Sequence, residues 1–354
     1  MPNERGKPKL RLDHLAVWVE DIDKTAAFLT ETVGWKRHPM VVEVSTEDET
    51  TGGMKAAFVH GGGLWLELVL PTSPGPGMEI LEEVGQGAIV EVNFEAVDAD
   101  YQKVLEEMDA KGIQMLSMDG SPLRDGGRIQ ESVRGDAATA ETGQLIAYWP
   151  ADVSCGTTIE VYERRLDDAT NLLNIRDEAW ANEKPRPNSP RIDRVCILTE
   201  DLSKTAAFYT EVMGLKRHPA EFGLDGGATN LGDMRCAFIE ANGVWVQLVQ
   251  PTSAGYVLDL LKEKGEGYAL EVAAEVDDLD AFYDHMAAKG ITMVNCDGTP
   301  LAPGTKGLTV EPSGDRHHYF PLNESQGMRI MVYERGPRHT SMLHRRDDIW
   351  ARVS

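Results

Sequence analysis

Residues 11–39, RLDHLAVWVEDIDKTAAFLTETVGWKRHP, return at 191–219 as RIDRVCILTEDLSKTAAFYTEVMGLKRHP. A chain that writes one unit twice must fold into two like halves, and this constrains the 354 residues more than any other feature. The size agrees, because a single hydrophobic core stops growing beyond roughly 250–300 residues. Both copies keep the apolar pattern, the KTAAF helix start and the KRHP exit, yet His14 in the first becomes Arg194 in the second. A shared scaffold keeps its packing residues, so this swap separates chemistry from architecture.

Each half divides again. Alternating residues over 12–19 predict a strand, followed by a helix over 24–33 with Asp21 or Asp23 as N-cap and Gly34 as its stop. Two short strands, 55–60 and 64–70, flank the glycine turn at 61–63. The order restarts at Ile89 with a strand to Phe94, a helix over 100–110, and strands at 144–149 and 157–162. The expected fold is α+β, four β-α-β-β-β modules paired into two open barrels. The first domain spans 1–181, with modules at 11–75 and 85–165 and a helical tail. The proline-rich stretch 182–190 is the linker, and 191–354 form the second domain. The tails NLLNIRDEAW and SMLHRRDDIW also repeat, and their Leu and Trp residues at helical spacing read as packing elements.

A net charge of −23 argues against a phosphate-tracking nucleic-acid binder and an anionic membrane surface. Residues 1–10, MPNERGKPKL, hold no apolar signal core, and no run reaches the length of a membrane span. Cys155, Cys196, Cys236 and Cys296 lie far apart, as expected of reduced, half-buried residues in a cytoplasmic protein.

Strand alternation then sorts the polar residues. His14 shares a face with Ala16 and Trp18, Glu67 with Trp65 and Val69, Glu91 with Asn93 and Glu95, and Glu160 with Thr158 and Tyr162. Four matched strands thus each bring one imidazole or carboxylate to a concave face. Three carboxylates in one cleft repel unless a cation lies between them. One imidazole with three carboxylates suits Mn²⁺, Mg²⁺, Co²⁺ or Ni²⁺, with Zn²⁺ also open. In the second copy these positions are Arg194, Gln247, Glu271 and Met331, which cannot complete a divalent site; Arg194 is expected to pair with Glu271. His317, His318 and Arg316 leave open that this second cleft binds another ligand, though they read first as surface polar residues.

At these residues the sequence resembles the vicinal oxygen chelate superfamily, and within it methylmalonyl-CoA epimerase and glyoxalase I. RLDHLAVWVEDIDKTAAF is similar to the epimerase opening, WLELVLPTS to the strand giving the second metal ligand, and CGTTIEVYE to the terminal strand giving the last. The resemblance implies one divalent metal on His14, Glu67 and Glu160. The third family ligand is a histidine after a glycine pair; GQGAIVEVNFE matches that stretch with Glu91 at the ligand position. It further implies a metal that grips two adjacent substrate oxygens and stabilises an oxyanion, with Glu160 as both ligand and base. A second acid or base would come from the loop EVSTEDETTGG, where Glu47 and Glu49 are the candidates.

The expected activity is therefore a metal-dependent epimerisation, isomerisation or lyase step beside a carbonyl of a small carboxylate, ketone or thioester. A ring-cleaving dioxygenase is the alternative; it needs Fe²⁺ on two histidines and a carboxylate, and only His14 is a histidine here. A third reading is a drug-binding protein, in which Trp18, Trp65, Trp149 and Trp245 would hold flat ligands. Arg164, Arg165 and Arg176 are the candidate phosphate contacts should the substrate be an acyl-CoA. Monomer and homodimer both fit a chain that already contains four modules.

Overall fold

Leu10–Trp18 carries apolar side chains on alternate positions and forms the central strand β1 of the first module. Asp21 caps the next helix, α1 (Ile22–Ala27), by accepting from the Lys24 amide, and Gly34 closes it with φ 94°. The expected single helix changes pitch half-way, since Phe28–Val33 is a π-helical turn. The same change recurs at Phe208–Val212 in the second copy, so it belongs to the scaffold. Strands β2 (Lys36–Val44), β3 (Met54–His60) and β4 (Trp65–Pro71) complete the module, and α2 (Pro76–Val84) follows them. The computed structural model describes residues 9–44, 53–98, 100–135, 138–169, 171–180, 189–226, 230–301, 308–309 and 314–353.

The second module runs β5 (Ile89–Val97), α3 (Asp100–Ala110), β6 (Arg128–Gly135), β7 (Ala138–Tyr148), β8 (Ile159–Arg164) and the tail α4 (Leu172–Trp180). The third runs β9 (Arg191–Leu198), α5 (Leu202–Ala207), β10 (Lys216–Arg217), β11 (Phe222–Leu224), β12 (Met234–Ala241), β13 (Val244–Pro251) and α6 (Tyr256–Lys264). The fourth runs β14 (Ala269–Glu275), α7 (Leu279–Ala288), β15 (Leu308–Thr309), β16 (Arg316–Tyr319), β17 (Ile330–Glu334) and the tail α8 (Met342–Trp350). The fold is α+β, with one large mixed sheet and the β-α-β-β-β order repeated four times. No helix among the described residues is long and apolar enough to cross a membrane.

Modules pair within each copy. β1 runs parallel to β4 and antiparallel to β5, and β5 runs parallel to β8. β9, β13, β14 and β17 repeat this arrangement. In each copy the sheet curls around a cleft; in the first, α1 and α3 pack on its outer face, while α2 and the tail α4 border the cleft. On one side of the first cleft, β2 and β6 also meet, from Val41 opposite Arg134 to Val44 opposite Glu131.

The two copies pack through reciprocal contacts. A Cβ on Gly87 would meet the Gly327 backbone at 2.2 Å, and one on Gly267 would meet the Gly156 backbone at 2.2 Å. Phe28 meets Phe320 edge-on, and Phe208 meets Trp149. Lys111 Nζ donates to the Glu211 carbonyl, and Lys289 Nζ to that of Glu31. Every contact in this set is made twice, once in each direction, as in a two-fold dimer.

Candidate active site in the first copy

Two rows of residues cross the first sheet. Glu67, Ala16 and Glu91 stand side by side on β4, β1 and β5; His14, Asn93 and Glu160 stand side by side on β1, β5 and β8. Two bulges aim them. Asp13 is an extra residue between the pairs Leu12–Phe94 and His14–Asn93, and Val90 is extra between Ala16–Glu91 and Val17–Ile89. Bulges of this kind re-aim side chains beside functional sites. Both recur in the second copy, at Asp193 and Leu270.

A cavity of about 390 Å³ lies over these rows. Glu67, Glu91 and Glu160 line it, together with Tyr148, Tyr162 and Trp18. His14 lies beneath, almost fully buried, with Nε2 3.2 Å from Glu67 Oε2 and Nδ1 2.7 Å from Asp13 Oδ2. Asp13 in turn accepts two 2.7 Å bonds from Arg176 on α4, whose guanidinium lies 4.7 Å over the Trp65 ring. The tail helix therefore does more than pack, because it reaches the first strand and orients His14 through Asp13. Tyr148 donates its hydroxyl to Glu160 Oε2.

The electrostatics follow from burial and crowding. Burial and then the Arg176 charge act on Asp13, and the guanidinium wins, holding the carboxyl well below the usual range. Burial would lower His14, but its hydrogen bonds to Asp13 and Glu67 outweigh that and push it up to about 10. Burial, then the Glu67 charge, raises Glu91 to about 7. Burial, then the Glu91 charge, holds Glu160 well above the ordinary carboxylate range. Negative groups that raise one another in this way are relieved by a cation.

The residues can be tested against a divalent ion directly. Among the described residues, both Asn93 side-chain atoms and Glu160 Oε1 are buried without a hydrogen-bond partner, and both residues share a row with His14, whose Nε2 faces Glu67. Asp13 holding Nδ1 leaves Nε2 as the nitrogen that can bind a metal, the usual arrangement behind a histidine ligand. Among the described residues no three His, Cys, Asp or Glu side chains stand at metal-holding separations, so the preformed part is the His14–Glu67 pair. In donor chemistry the set fits a hard divalent cation.

The second copy keeps the support and loses the cleft's chemistry. Arg346 binds Asp193 at 3.1 and 3.2 Å and lies 4.7 Å over Trp245, as Arg176 does with Asp13 and Trp65. Arg194 does not pair with Glu271 as its position suggested; its Nε donates to Gln247 Oε1 at 2.6 Å and its Nη1 to Asp193 at 3.3 Å. Cys196, Cys236 and Val257 stand where the first copy has Ala16, Ala56 and Gly77, and the cavity falls to about 90 Å³.

Several other expectations change. His317 and His318 are buried, not on the surface: His317 faces the cavity of the second copy, and His318 packs on the opposite face of β16 against Tyr283 of α7. All four cysteines are fully buried and free. Of the four tryptophans offered as ligand stacks, only Trp18 lines the cavity; Trp149 fills the interface between copies, and Trp65 and Trp245 lie under Arg176 and Arg346. Arg164 and Arg176 are held by Glu95 and Asp13 in largely buried pairs, and Arg165 pairs with Glu163 nearer the surface. Glu47 and Glu49 lie outside the described residues. Sequence reasoning missed Asp13 and Tyr148, named Asn93 only as a neighbour of Glu91, and gave Arg176 a different role. For Asp13 and Arg176 a signal existed, since the Asp and the Arg both recur in the second copy while the cleft residues diverge.

The sequence signature of the Glyoxalase/Bleomycin resistance protein/Dioxygenase superfamily matches residues 11–120 and 191–314, more than half of the chain. The chain belongs to this superfamily. A search of curated protein sequences finds no match. Among solved structures, a mutant of 4-hydroxymandelate synthase from Streptomyces coelicolor is similar over 92% of this chain and 93% of its own, with 15% identity and a TM-score of 0.60. That likeness establishes a common superfamily fold across both copies. A catechol 2,3-dioxygenase is similar over 95% of this chain and 92% of its own, with 11% identity and a TM-score of 0.48. Methylmalonyl-CoA epimerase from Mycobacterium tuberculosis is similar over 44% of this chain and 95% of its own, with 18% identity and a TM-score of 0.34. At those scores neither one adds to the argument, and the activity must be read from the superfamily cleft itself.

Proposed function

We propose that the first copy is a divalent-metal-dependent isomerase, epimerase or lyase that moves a proton on the carbon beside a carbonyl of a small ketone, carboxylate or thioester. The observation that carries this reading is Glu160, a buried carboxylate with one oxygen tied to Tyr148 and the other without a partner, facing a cavity it shares with Glu67 and Glu91. His14, Glu67 and Glu160 would hold the metal, with Glu91 beside them. The ion would polarise the substrate carbonyl and so stabilise negative charge developing next to it, by several kcal/mol.

The protein's own residues supply the remainder. Arg176 keeps Asp13 ionised, and Asp13 fixes the ring of His14. Tyr148 holds Glu160 Oε2, which leaves Oε1 to accept the substrate proton. Glu91, with its pKa raised to about 7, can return a proton near neutrality, the value a general acid needs there. Glu47 and Glu49 are a further, loop-borne source of that proton. Trp18, Val42 and Val69 give the cavity apolar walls that limit water.

The test is deuterium uptake from solvent into candidate 2-oxo acids, hydroxyketones and thioesters under anaerobic conditions. Glu160→Gln is expected to lose at least ~100-fold in turnover with a much smaller change in substrate affinity. Turnover that stops when oxygen is removed would instead establish an iron-dependent dioxygenase.

A further inference from the structure

The cleft of the second copy is reduced but not filled. Its 90 Å³ gives room for roughly six waters at about 15 Å³ each, and so for a molecule of about five or six non-hydrogen atoms. Its polar lining differs from that of the first. Arg194 enters where His14 stands in the first copy, stacked 4.4 Å over the Tyr333 ring. Nε is used by Gln247 and Nη1 by Asp193, but Asp193 is already gripped by both terminal nitrogens of Arg346. Nη2 has no hydrogen bond among the described residues. Glu271 lines the same cavity, is 4% exposed, and has Oε2 without a partner. Among the described residues Glu271 forms no ion pair with any guanidinium.

A buried guanidinium with only a shared carboxylate, and a buried carboxyl with an orphaned oxygen, are both costly. A single small molecule can satisfy the two together. We infer that the second cleft is a binding site for a short carboxylate that also carries a hydroxyl group, the carboxylate held by Arg194 and the hydroxyl donating to Glu271. A carboxylate on Arg194 gains a charge-assisted hydrogen bond in a low-dielectric setting, where such bonds are strongest. Cys196, Met331 and Val257 are compact walls that limit the ligand's length, while Asp315, His317 and Tyr319 are further polar groups of the lining. The site is independent of the chemistry assigned to the first cleft.

Calorimetric titration of the full-length protein with glycolate tests this. Glycolate is expected to bind at one site per chain. Glycolamide, which lacks the charge, should not bind. Acetate, which lacks the hydroxyl, should bind about tenfold more weakly. Arg194→Gln should abolish glycolate binding with circular dichroism unchanged. Because removing a buried arginine can unfold the domain, Met331→Phe provides a second route: it fills the cavity, leaves every charge in place, and should also abolish binding. His14→Ala should leave it intact. Absence of glycolate binding, equal binding of glycolamide or acetate, retention in either second-cleft variant, or loss in His14→Ala would each overturn the inference.

Discussion

Replacing Arg176 by methionine separates the two roles assigned to the tail helix. Arg176 and Asp13 are both buried and joined by two 2.7 Å bonds. Removing one partner of a buried pair costs about 3–5 kcal/mol, because it strands the other charge. The cost is capped, since Asp13 can take up a proton once its partner is gone. Methionine keeps much of the stem's packing but loses the cation over Trp65, worth about 1–2 kcal/mol more. With a total of about 4–7 kcal/mol and about 2–4 °C lost per kcal/mol in a domain of this size, the melting temperature should fall by about 8–28 °C. Arg346→Met removes the same bonds to Asp193, at 3.1 and 3.2 Å, and should cost about as much or slightly less. Metal affinity distinguishes them. Only Asp13 orients a histidine, so Arg176→Met should weaken divalent-metal binding roughly 10–100-fold and Arg346→Met should not. Scanning calorimetry with metal titration reads both quantities. If Arg346→Met weakens metal binding equally, or Arg176→Met leaves it unchanged, the chain Arg176–Asp13–His14 does not position the site.

Three further outcomes are expected. One divalent ion should bind per chain; His14→Ala should abolish it and Arg194→Ala should not, as measured by metal analysis after reconstitution. His318 is buried with both ring nitrogens unpartnered among the described residues, and burial, then the Arg316 charge, lowers its pKa to about 4. The unfolded chain then binds a proton that the folded one refuses. Stability present above pH ~6.5 is therefore lost as pH falls towards 4, by at most about 3 kcal/mol, and urea melts of His318→Gln should show a flatter slope across that window. Gly87→Ala should destabilise the protein by more than ~2 kcal/mol, because its Cβ would meet Met328 N at 2.3 Å at a φ of +82°. Gly267→Ala should match it in denaturant melts, since it meets the other end of the same interface.

The modules were legible because repetition exposes them: apolar alternation and helix caps survive in both copies, and the α3 helix lies at its expected Asp100–Ala110. Alternation also brought Glu67, Glu91 and Glu160 to one cavity. It failed for Asp13, which strict alternation sends to the far face from His14. The bulge places it beside the imidazole instead, and a bulge leaves no mark in a two-residue period. The Arg176 role was hidden because its partner is 163 residues away, beyond the reach of any local pattern. Arg194 was misassigned for a related reason: charge alone suggested Glu271, whereas its nitrogens are taken by Gln247 on β13 and by Asp193, the extra residue of the β9 bulge.

The reciprocal seam between the copies bears on how the two clefts could come to differ. In a homodimer of identical subunits every substitution is present twice, so plugging one cleft plugs both. Fusing the subunits ends that obligation while the glycine crossings Gly87–Gly327 and Gly156–Gly267 hold the old symmetry at the seam. Cys196, Cys236 and Val257 could then accumulate in one half without touching Ala16, Ala56 and Gly77 in the other. The tether also keeps the halves together at any dilution, since their association no longer depends on finding a partner. One half is thereby freed to specialise while its sibling remains the fixed wall against which it folds.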